Sequence, residues 1–346
     1  MSDLKNGNAP DHIAEHERNS IQFCNQWLHG KQEFDFLTSG STGNPKKITF
    51  RRDQLEESAR LTGQALKLEP GYNALICLDT NFIAGAMMLV RSLVIGMNMI
   101  LRTPTANPLQ EIHEKIDFAA FVPYQIITLL EQSPLELDKL KTVIIGGATL
   151  KTEVIDLLQK RSPSFYATYG MTETITHVAL QKLNGLNRQD SFQLLPGISA
   201  STDDRGCLTL HVPHLGNQAI ITNDLVTLLE ENKFRWLGRY DRVINSGGVK
   251  VQAEKIEGVV DTIFQKLKIH KRFFVNGIPD QKFGEQVVLV LEGAKLNPDQ
   301  EEALKVQLAQ HLNVYEIPKS LFYIDRFRVT LTQKIDRVST MKILIE

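Results

Sequence analysis

Residues 38–47, near the N-terminus, have the composition of a phosphate-binding loop. They read T-S-G-S-T-G-N-P-K-K and combine two glycines, four hydroxyl side chains and two lysines. Glycine lets backbone N–H groups approach an anion closely, hydroxyls donate hydrogen bonds, and lysine adds positive charge. Short strand-like segments on both sides predict a hairpin tip, whereas a Walker A loop opens a helix. We therefore predict a polyphosphate site here, with a solvated glycine–serine hairpin as the alternative.

Four further segments follow in order, and each suits a different part of a nucleotide reaction. Residues 169–173 (Y-G-M-T-E) end an apolar strand and offer an aromatic face, a hydroxyl and a carboxylate. Residues 222–224 (T-N-D) end another predicted strand, and residues 238–250 contain G-R-Y-D followed by S-G-G-V-K. Residues 330–337 (T-L-T-Q-K-I-D-R) place a lysine in a short polar loop.

Composition excludes several classes of function. The 346 residues carry a net charge of −1 and 23% charged side chains, so no basic field predicts nucleic acid or an anionic membrane as a partner. Three scattered cysteines, Cys24, Cys77 and Cys207, predict a reducing compartment without disulfides or a zinc site. The N-terminus lacks an apolar signal core, and residues 82–101 are too mixed for a membrane span. We expect a soluble cytoplasmic protein.

The hydrophobic pattern predicts an α/β fold. Between residues 53 and 169, short apolar runs alternate with helical periodicity, which indicates βαβ units and a mainly parallel sheet. Asp53 and Glu56 have the spacing of a capping box. Ligands of such sheets lie beyond the carboxyl ends of the strands, where residues 146–148 and 169–173 fall. The predicted helices cover 53–66, 83–95, 149–160 and a segment from 123; the predicted strands cover 75–78, 99–101, 118–122, 142–145 and 165–168.

The pattern changes twice towards the C-terminus. Residues 197–236 contain short strands and predict a small β subdomain. A compact α+β unit follows, with helices at 253–267 and 298–311 and strands at 272–275, 286–291 and 321–324. We therefore predict an N-terminal domain of residues 1–240 and a C-terminal domain of residues 241–346.

The ordered motifs closely resemble the acyl-adenylate-forming (AMP-binding) superfamily of acyl-CoA synthetases, peptide-synthetase adenylation domains and luciferases. The resemblance runs from about Phe34 to Arg337 and implies the adenylate-forming enzyme fold, a large α/β domain with a β subdomain plus a small, mobile C-terminal domain. Relatives carry a longer segment before the phosphate loop, so part of the N-terminal subdomain is expected to be missing. Residues 82–91 and 173–180 resemble short bacterial o-succinylbenzoate–CoA ligases of menaquinone synthesis.

The resemblance implies a two-step reaction with ATP, Mg²⁺ and CoA as co-substrate. A small-molecule carboxylic acid attacks the α-phosphorus, and the CoA thiol then displaces AMP. In this scheme Lys334 bridges carboxylate and α-phosphate, Thr172 contacts the α-phosphate, and Glu173 holds the metal. Lys47 replaces a family glycine, so the lysine that reaches phosphate is either Lys46 or Lys47. The other implied cofactor contacts are Thr38, Ser39, Gly40, Ser41, Thr42, Gly43, Lys46, Gly146, Gly147, Ala148, Tyr169, Gly170, Asp224, Arg239 and Lys250.

The acyl pocket implied by the resemblance contains Phe82, Gly85, Arg91 and His177. Arg91 either meets a second carboxylate of the substrate or forms an internal salt bridge, and His177 either lines the pocket or packs in the core. Tyr169 either stacks on adenine or is a core residue. Asp241 matches the hinge between the two domains.

Three alternatives remain beside an o-succinylbenzoate ligase. One is a ligase for another aryl or short acyl acid, and the second is a stand-alone adenylation enzyme that loads a carrier protein. The third is an inactive nucleotide-binding relative, which the joint presence of the predicted catalytic residues disfavours. A homodimer is compatible with the sequence, but no residue pattern requires it.

Overall fold

In the computed structural model of the chain, the described residues are 14–37, 47–230, 232–329 and 335–345. Residues 38–46 of the predicted phosphate loop and the predicted catalytic Lys334 lie outside them. The helices are α1 (Glu15–Leu28), α2 (Arg52–Leu66), α3 (Ile83–Ile95), α4 (Pro123–Gln132), α5 (Pro134–Leu137), α6 (Thr152–Leu158), α7 (Ala253–Lys266), α8 (Pro298–His311) and α9 (Arg337–Ile345). In these ranges no helix has both the length and the apolar character needed to cross a bilayer.

Most strands of the first two-thirds of the chain belong to one eleven-stranded sheet. They are β3 (Asn73–Ile76), β4 (Asn98–Leu101), β5 (Phe118–Phe121), β6 (Thr142–Ile145), β7 (Ser164–Gly170), β8 (His177–Lys182), β9 (Phe192–Leu194), β10 (Ser199–Thr202), β11 (Cys207–His211), β12 (Ile220–Leu229) and β13 (Lys233–Arg239). Their order is β10-β11-β12-β13-β9-β8-β7-β6-β5-β3-β4.

The sheet is parallel on one side of β7 and antiparallel on the other. The five strands β7, β6, β5, β3 and β4 pair in parallel, as the alternating pattern predicts. β8 pairs with β7 in the antiparallel sense, and the remaining strands extend this half. β8 covers the edge of β7 that would otherwise expose unpaired backbone groups. The strands of the predicted β subdomain, residues 197–236, continue the same sheet, because β13 pairs with β9, which pairs with β8.

Helices cover both faces of the parallel half. Ile76, Ala120 and Ile144 point to the side of α2 and α3, where they pack with Met88 and Leu89. The alternate residues of the same strands face the other side, where they pack with Ile126, Leu129 and Leu158 of α4 and α6. Strands buried on both faces read as continuous apolar runs, which explains why all five were predicted near their observed positions. β3 begins two residues before the predicted strand at 75–78 and ends two residues before it ends.

A hairpin and α1 add a third layer at the N-terminus. Strands β1 (Glu33–Leu37) and β2 (Lys47–Arg51) pair antiparallel, which confirms the two strands predicted around the phosphate loop. Phe34 and Phe50 of this hairpin pack with Trp27 of α1 against α2 and α3. α1 was not predicted, although its buried residues recur at helical spacing within a polar segment: His16, Ser20 and Trp27.

The start of α2 differs from the predicted capping box. The helix begins at Arg52, one residue before the predicted start. Its N-cap is therefore Arg51, and the residue three positions later is Gln54. The N–H of Arg51 donates to Oε1 of Gln54 at 2.9 Å. Asp53 instead forms an ion pair with the Arg51 guanidinium at 2.8 Å, so the cap predicted from Asp53 and Glu56 is wrong.

Two other predicted boundaries fall within longer strands. β7 extends through Tyr169 and Gly170 because it pairs with β8 up to those residues. β12 continues through Asp224, which pairs with Arg239 of β13, so residues 222–224 do not end a strand. In the opposite direction, α6 is shorter than the predicted helix at 149–160.

The last third of the chain forms a second sheet with its own core. It contains β14 (Val243–Ser246), β15 (Val249–Gln252), β16 (Phe273–Asp280), β17 (Gly284–Glu292) and β18 (Ser320–Ile324) in the order β15-β14-β17-β16, with β18 parallel to β17. Helices α7 and α8 pack on it through Ile256, Val260 and Leu304. This arrangement confirms the predicted α+β elements, whereas the domain boundary at 240/241 stays a prediction.

A close backbone approach fixes the start of α3. A Cβ atom on Gly85 would lie 2.3 Å from the carbonyl oxygen of Asp79. We expect Gly85→Ala to lower the free energy of unfolding by about 2 kcal/mol or more, because backbone cannot move aside as a flexible side chain does. Gly258→Ala, in α7 with open space around the site, should instead raise it by about 0.5–1 kcal/mol. Urea denaturation measures both, and equal effects would contradict this account.

Candidate active site

The turn between β7 and β8 stands at the carboxyl end of the parallel strands. A short 3₁₀ turn, Thr172–Thr174, follows Met171, and the Thr174 hydroxyl accepts the N–H of Met171 at 2.9 Å. Ile175 then has φ +65° and ψ −63°, and the N–H of Thr176 donates to the carbonyl of Thr174 at 2.7 Å. This is a strained γ-turn for a β-branched residue, and such strain concentrates at functional sites.

Glycines allow the chain to fold tightly here. A Cβ atom on Gly170 would lie 2.2 Å from the carbonyl oxygen of Thr176, so the turn closes directly over this residue. Directly after the neighbouring strand β6, a Cβ on Gly146 would lie 2.5 Å from the hydroxyl of Thr168, and Gly147 has φ +89°. The predicted contacts Gly146, Gly147 and Gly170 therefore sit at adjacent strand ends, where the backbone is accessible to a ligand. Ala148 follows them and is exposed.

Tyr169 and Asp224 form the first group of polar contacts. The Tyr169 hydroxyl donates to Oδ2 of Asp224 at 2.6 Å, and the indole Nε1 of Trp236 donates to Oδ1 at 3.1 Å. Burial, followed by the charge of Asp224, raises the pKa of Tyr169, so its hydroxyl keeps its proton. The ring of Tyr169 packs edge-on to Phe234, with centroids 5.0 Å apart. Both ring and hydroxyl thus have structural partners, which agrees with the core alternative for Tyr169.

Arg239 connects this group to the predicted hinge. Its Nη1 lies 3.9 Å from Oδ1 of Asp224. Its Nε and Nη2 donate to the two carboxylate oxygens of Asp241 at 2.9 and 2.7 Å, a bidentate pair that lowers the pKa of Asp241. The predicted ribose residue, the predicted basic contact and the predicted hinge are therefore contiguous in space.

Thr172 and Glu173 occupy the exposed rim of the turn. Thr172 is half-buried and Glu173 is exposed. The described part of the chain contains no cluster of three or more His, Cys, Asp or Glu side chains that could hold a metal. Magnesium binds through one or two carboxylates together with phosphate oxygens and water, so the donor set at Glu173 fits this ion.

Arg91 forms the centre of a buried polar group. It is 1% exposed and donates from Nη2 to the Thr176 hydroxyl at 2.9 Å, with Nη1 3.8 Å from the Met88 sulfur. Its Nε has no hydrogen-bond partner, and no carboxylate of the described residues forms a salt bridge with it. Burial lowers the pKa of Arg91 to about 9, so the guanidinium remains charged at neutral pH. The internal salt bridge is therefore absent from the described residues.

His177 continues this group towards α2. Its Nε2 lies 3.1 Å from the Thr62 hydroxyl, which itself donates to the carbonyl of Ser58 at 3.1 Å. Since the Thr62 proton is used in that bond, His177 donates from Nε2, and its Nδ1 faces the Thr176 hydroxyl at 3.4 Å. Burial, followed by the charge of Arg91, lowers the pKa of His177 well below its usual value and keeps the ring neutral.

The structure brings some predicted residues together and separates others. Arg91 and His177 meet through Thr176, while Phe82 and Gly85 lie at the start of the same helix as Arg91. Lys250 is exposed on β15 of the second sheet. Lys47 pairs with Asp35 at 2.9 Å, with both side chains largely exposed.

Sequence reasoning missed three residues of the site: Thr62, Thr176 and Trp236. Thr176 lies within residues 173–180, which carry part of the resemblance, and its hydroxyl can accept a hydrogen bond from a buried arginine, so the sequence did contain a signal for it. Thr62 and Trp236 give no such signal, because their partners come from distant parts of the chain.

Comparisons with known proteins decide the family. The sequence profile described as AMP-binding enzyme matches residues 36–200. A solved structure from Dyadobacter fermentans, described as an acyl-CoA synthetase (AMP-forming)/AMP-acid ligase II-like protein, is 40% identical, with a TM-score of 0.66 over 99% of this chain and 97% of that chain. The chain belongs to the AMP-binding enzyme family. The resemblance stated from the motifs is thereby confirmed.

Several more distant relatives of this AMP-binding enzyme are named as ligases of succinylbenzoate and coenzyme A. The 2-succinylbenzoate–CoA ligase of Escherichia coli is 26% identical over 79% of this chain, which spans 61% of that relative's length. The O-succinylbenzoate coenzyme A synthetase of Bacillus subtilis, solved with ATP and magnesium, is 18% identical with a TM-score of 0.76, over 89% of this chain and 69% of that one. The second likeness confirms the predicted adenylate-forming fold.

The neutral, buried His177 predicts a specific pH dependence of stability. Because the unfolded histidine takes up a proton below about pH 6.5 and the folded one does not, stability is present above that pH and is lost as pH falls. We expect a loss of up to about 1.4 kcal/mol of unfolding free energy per pH unit between pH 6.5 and 5. His177→Gln should remove this contribution, whereas His29→Gln, at an exposed position, should retain it. Identical slopes in denaturation series for both variants would refute the assignment.

Proposed function

We propose that this AMP-binding enzyme is an ATP-dependent acid–CoA ligase. The observation that carries the proposal is the contiguity of two groups on one turn. Tyr169, at its start, contacts the predicted ribose residue Asp224, and Thr176, at its end, holds the buried cation Arg91. A nucleotide at the first group and an anionic acid at the second would meet over the turn between β7 and β8. The name of the Dyadobacter relative supports the same class of reaction.

In the proposed reaction the chain positions charged reactants. An oxygen of the substrate carboxylate forms a bond to the α-phosphorus of ATP, and pyrophosphate leaves. The sulfur of CoA then forms a bond to the acyl carbon, and AMP leaves. Positioned hydrogen-bond donors and cations are the main requirement of such steps. Thr172 would donate to the α-phosphate and Lys334 would bridge the two reacting anions.

Glu173 would hold Mg²⁺, which would neutralise phosphate charge when bound. Asp224 accepts hydrogen bonds from Tyr169 and Trp236, and a carboxylate has further lone pairs with which to accept from ribose hydroxyls. Lys250 stays a proposed CoA contact on the exposed side of β15. The residues 38–43 and Lys46 stay the proposed phosphate contacts.

We further propose o-succinylbenzoate as the acid. This substrate carries a second carboxylate, and Arg91 is a buried cation without a carboxylate partner among the described residues. A buried charge is costly unless it is paired, so a fixed unpaired guanidinium favours an anionic ligand. The name of the Escherichia coli relative supports this substrate and, with it, a role in menaquinone synthesis.

The proposal also covers the domains, the compartment and the oligomeric state. The domains would be residues 1–240 and 241–346, with Asp241 as the hinge of a mobile C-terminal domain. The reaction would take place in the cytoplasm, which the free cysteines Cys24, Cys77 and Cys207 support. A homodimer is compatible with this function and is not required by it.

Acid-dependent AMP formation tests the proposed function. We expect strong selectivity for o-succinylbenzoate when it is compared with benzoate, short fatty acids and amino acids in the presence of ATP, magnesium and CoA. Activity with another acid would keep the reaction and refute the substrate. If AMP formation needs a carrier protein in place of CoA, the proposed acceptor of the acyl group is wrong. If no acid gives an adenylate, the proposal is refuted.

Arg91→Met separates a substrate contact from a structural role. Because Met fills similar space without charge, we expect unfolding free energy in the absence of ligand to be unchanged or higher by about 1–4 kcal/mol. The kcat/KM for o-succinylbenzoate should fall on the order of 10²- to 10³-fold, since an anion would lose its buried partner. Benzoate, which lacks the second carboxylate, should lose much less.

Arg60→Met is the matched control, because Arg60 is an exposed arginine on α2 that pairs with Glu56 at 3.0 Å. It should leave both acids unaffected. A destabilised Arg91→Met protein with equal losses for both acids would show that Arg91 is structural.

A further inference from the structure

Glu257 of α7 joins three separate segments of the chain. Its Oε1 accepts hydrogen bonds from Nη2 of Arg242 at 2.7 Å, from Nη1 of Arg337 at 2.8 Å and from the backbone N–H of Val275 at 2.8 Å. Nη2 of Arg337 also donates to its Oε2, at 3.4 Å. Arg242 directly follows the predicted hinge, Arg337 begins α9, and Val275 lies on β16. The proposed reaction assigns no role to this carboxylate.

The two arginines are fixed by further contacts. Arg242 also pairs with Glu254 at 2.6 Å, one turn before Glu257 on α7. The guanidinium of Arg337 lies over the ring of Phe274, 5.4 Å from its centroid. Exposed ion pairs contribute little to stability because each side chain moves freely. A guanidinium that is held on several sides has a fixed position and can therefore fix the position of its partners.

The segment next to Arg337 is also anchored. The Asp336 carboxylate accepts from the N–H and the hydroxyl of Ser339 at 3.0 and 2.7 Å, which fixes the first turn of α9. The N–H of Asp336 donates to the carbonyl of Arg328 at 2.8 Å, and Val329 and Ile335 form a β-bridge. Residues 328–329 are therefore bonded to residues 335–337. Arg337 is in turn linked through Glu257 to Arg242, next to the predicted hinge.

We propose that Glu257 is a positioning residue for the adenylation step. Through Arg337 and Arg242 it fixes residues 335–337 relative to the hinge at Asp241, and Lys334 precedes Arg337 by three positions. The inference rests on the proposed function, because it assigns Lys334 to adenylation. Attack by CoA on a finished adenylate does not use Lys334 in that scheme, so loss of Glu257 should affect the two steps unequally.

Glu257→Gln tests this inference, with the two half-reactions measured separately at pH 8. Burial raises the pKa of Glu257 to about 7 against the opposing effect of Arg242, so this pH keeps the wild-type carboxylate ionised. We expect acid-dependent exchange of pyrophosphate into ATP to fall on the order of 10²-fold, as for a misplacement of about 1 Å. CoA-dependent release of AMP from preformed acyl-adenylate should change by less than about threefold, well below that loss.

Two variants frame the result. Lys334→Ala should show the same selective loss, and Glu301→Gln should leave both steps unchanged, because Glu301 forms a simple i,i+4 pair with Lys305 on α8. Equal losses in both half-reactions of Glu257→Gln, or none in adenylation, would overturn the inference.

A failure of the variant to fold, or a failure of the proposed function, can be distinguished from a failure of this inference. If Glu257→Gln does not fold, Arg337→Lys replaces it, since it keeps the charge but not the two-pronged hydrogen bonding. Selective loss of adenylation in that variant would support the inference, and equal or absent losses would overturn it. If the wild-type protein forms no adenylate with any acid, the proposed function fails first, whatever Glu257 does.

Discussion

The structure depends on one constraint, the tight reversal between β7 and β8. Here the parallel half of the sheet meets the antiparallel half, and the Thr176 carbonyl lies directly over Gly170, where a Cβ would come within 2.2 Å. Ile175 adopts φ +65° and is 0% exposed. Such a conformation costs of order 1–3 kcal/mol and persists because the surrounding core determines it. The same turn sets the distance between Tyr169 at its start and Thr176 at its end.

The buried guanidinium of Arg91 follows from this turn. Thr176 accepts from Arg91 and faces His177, whose ring passes the hydrogen-bond chain on to Thr62. This chain satisfies part of the guanidinium without neutralising it, so the interior keeps a net positive charge at this point. A protein under selection for stability alone would gain from an apolar residue there. The anionic ligand that we propose would supply the partner that this fixed charge lacks among the described residues.

Local patterns predicted the parts of the fold that local chemistry controls. α3, α8 and β6 occur at the predicted residues, because apolar periodicity and neighbouring glycine or proline define them. The helix α1 was missed because its segment is polar, and its few apolar residues are buried only by packing against the β1–β2 hairpin. The β subdomain predicted at residues 197–236 continues the main sheet, which the sequence did not indicate because no single segment specifies which strands pair. For the site, charged residues stood out in the motifs, whereas Thr62 and Trp236 become recognisable only through partners brought close by folding.

The two sheets are connected mainly through polar contacts. The apolar clusters of residues 244–341 share no member with those of residues 27–234, so each sheet buries its own core. Between them, Lys151 pairs with Asp261, and Gly238 lies so close to Glu254 that a Cβ would be 2.8 Å from its carboxylate. Separating polar groups returns them to water, whereas separating a shared apolar core would expose apolar surface. In the proposed rotation about Asp241, no shared apolar core of the described residues would have to be separated, and the ion pairs of Arg242 with Glu254 and Glu257 would keep this arginine with the second sheet.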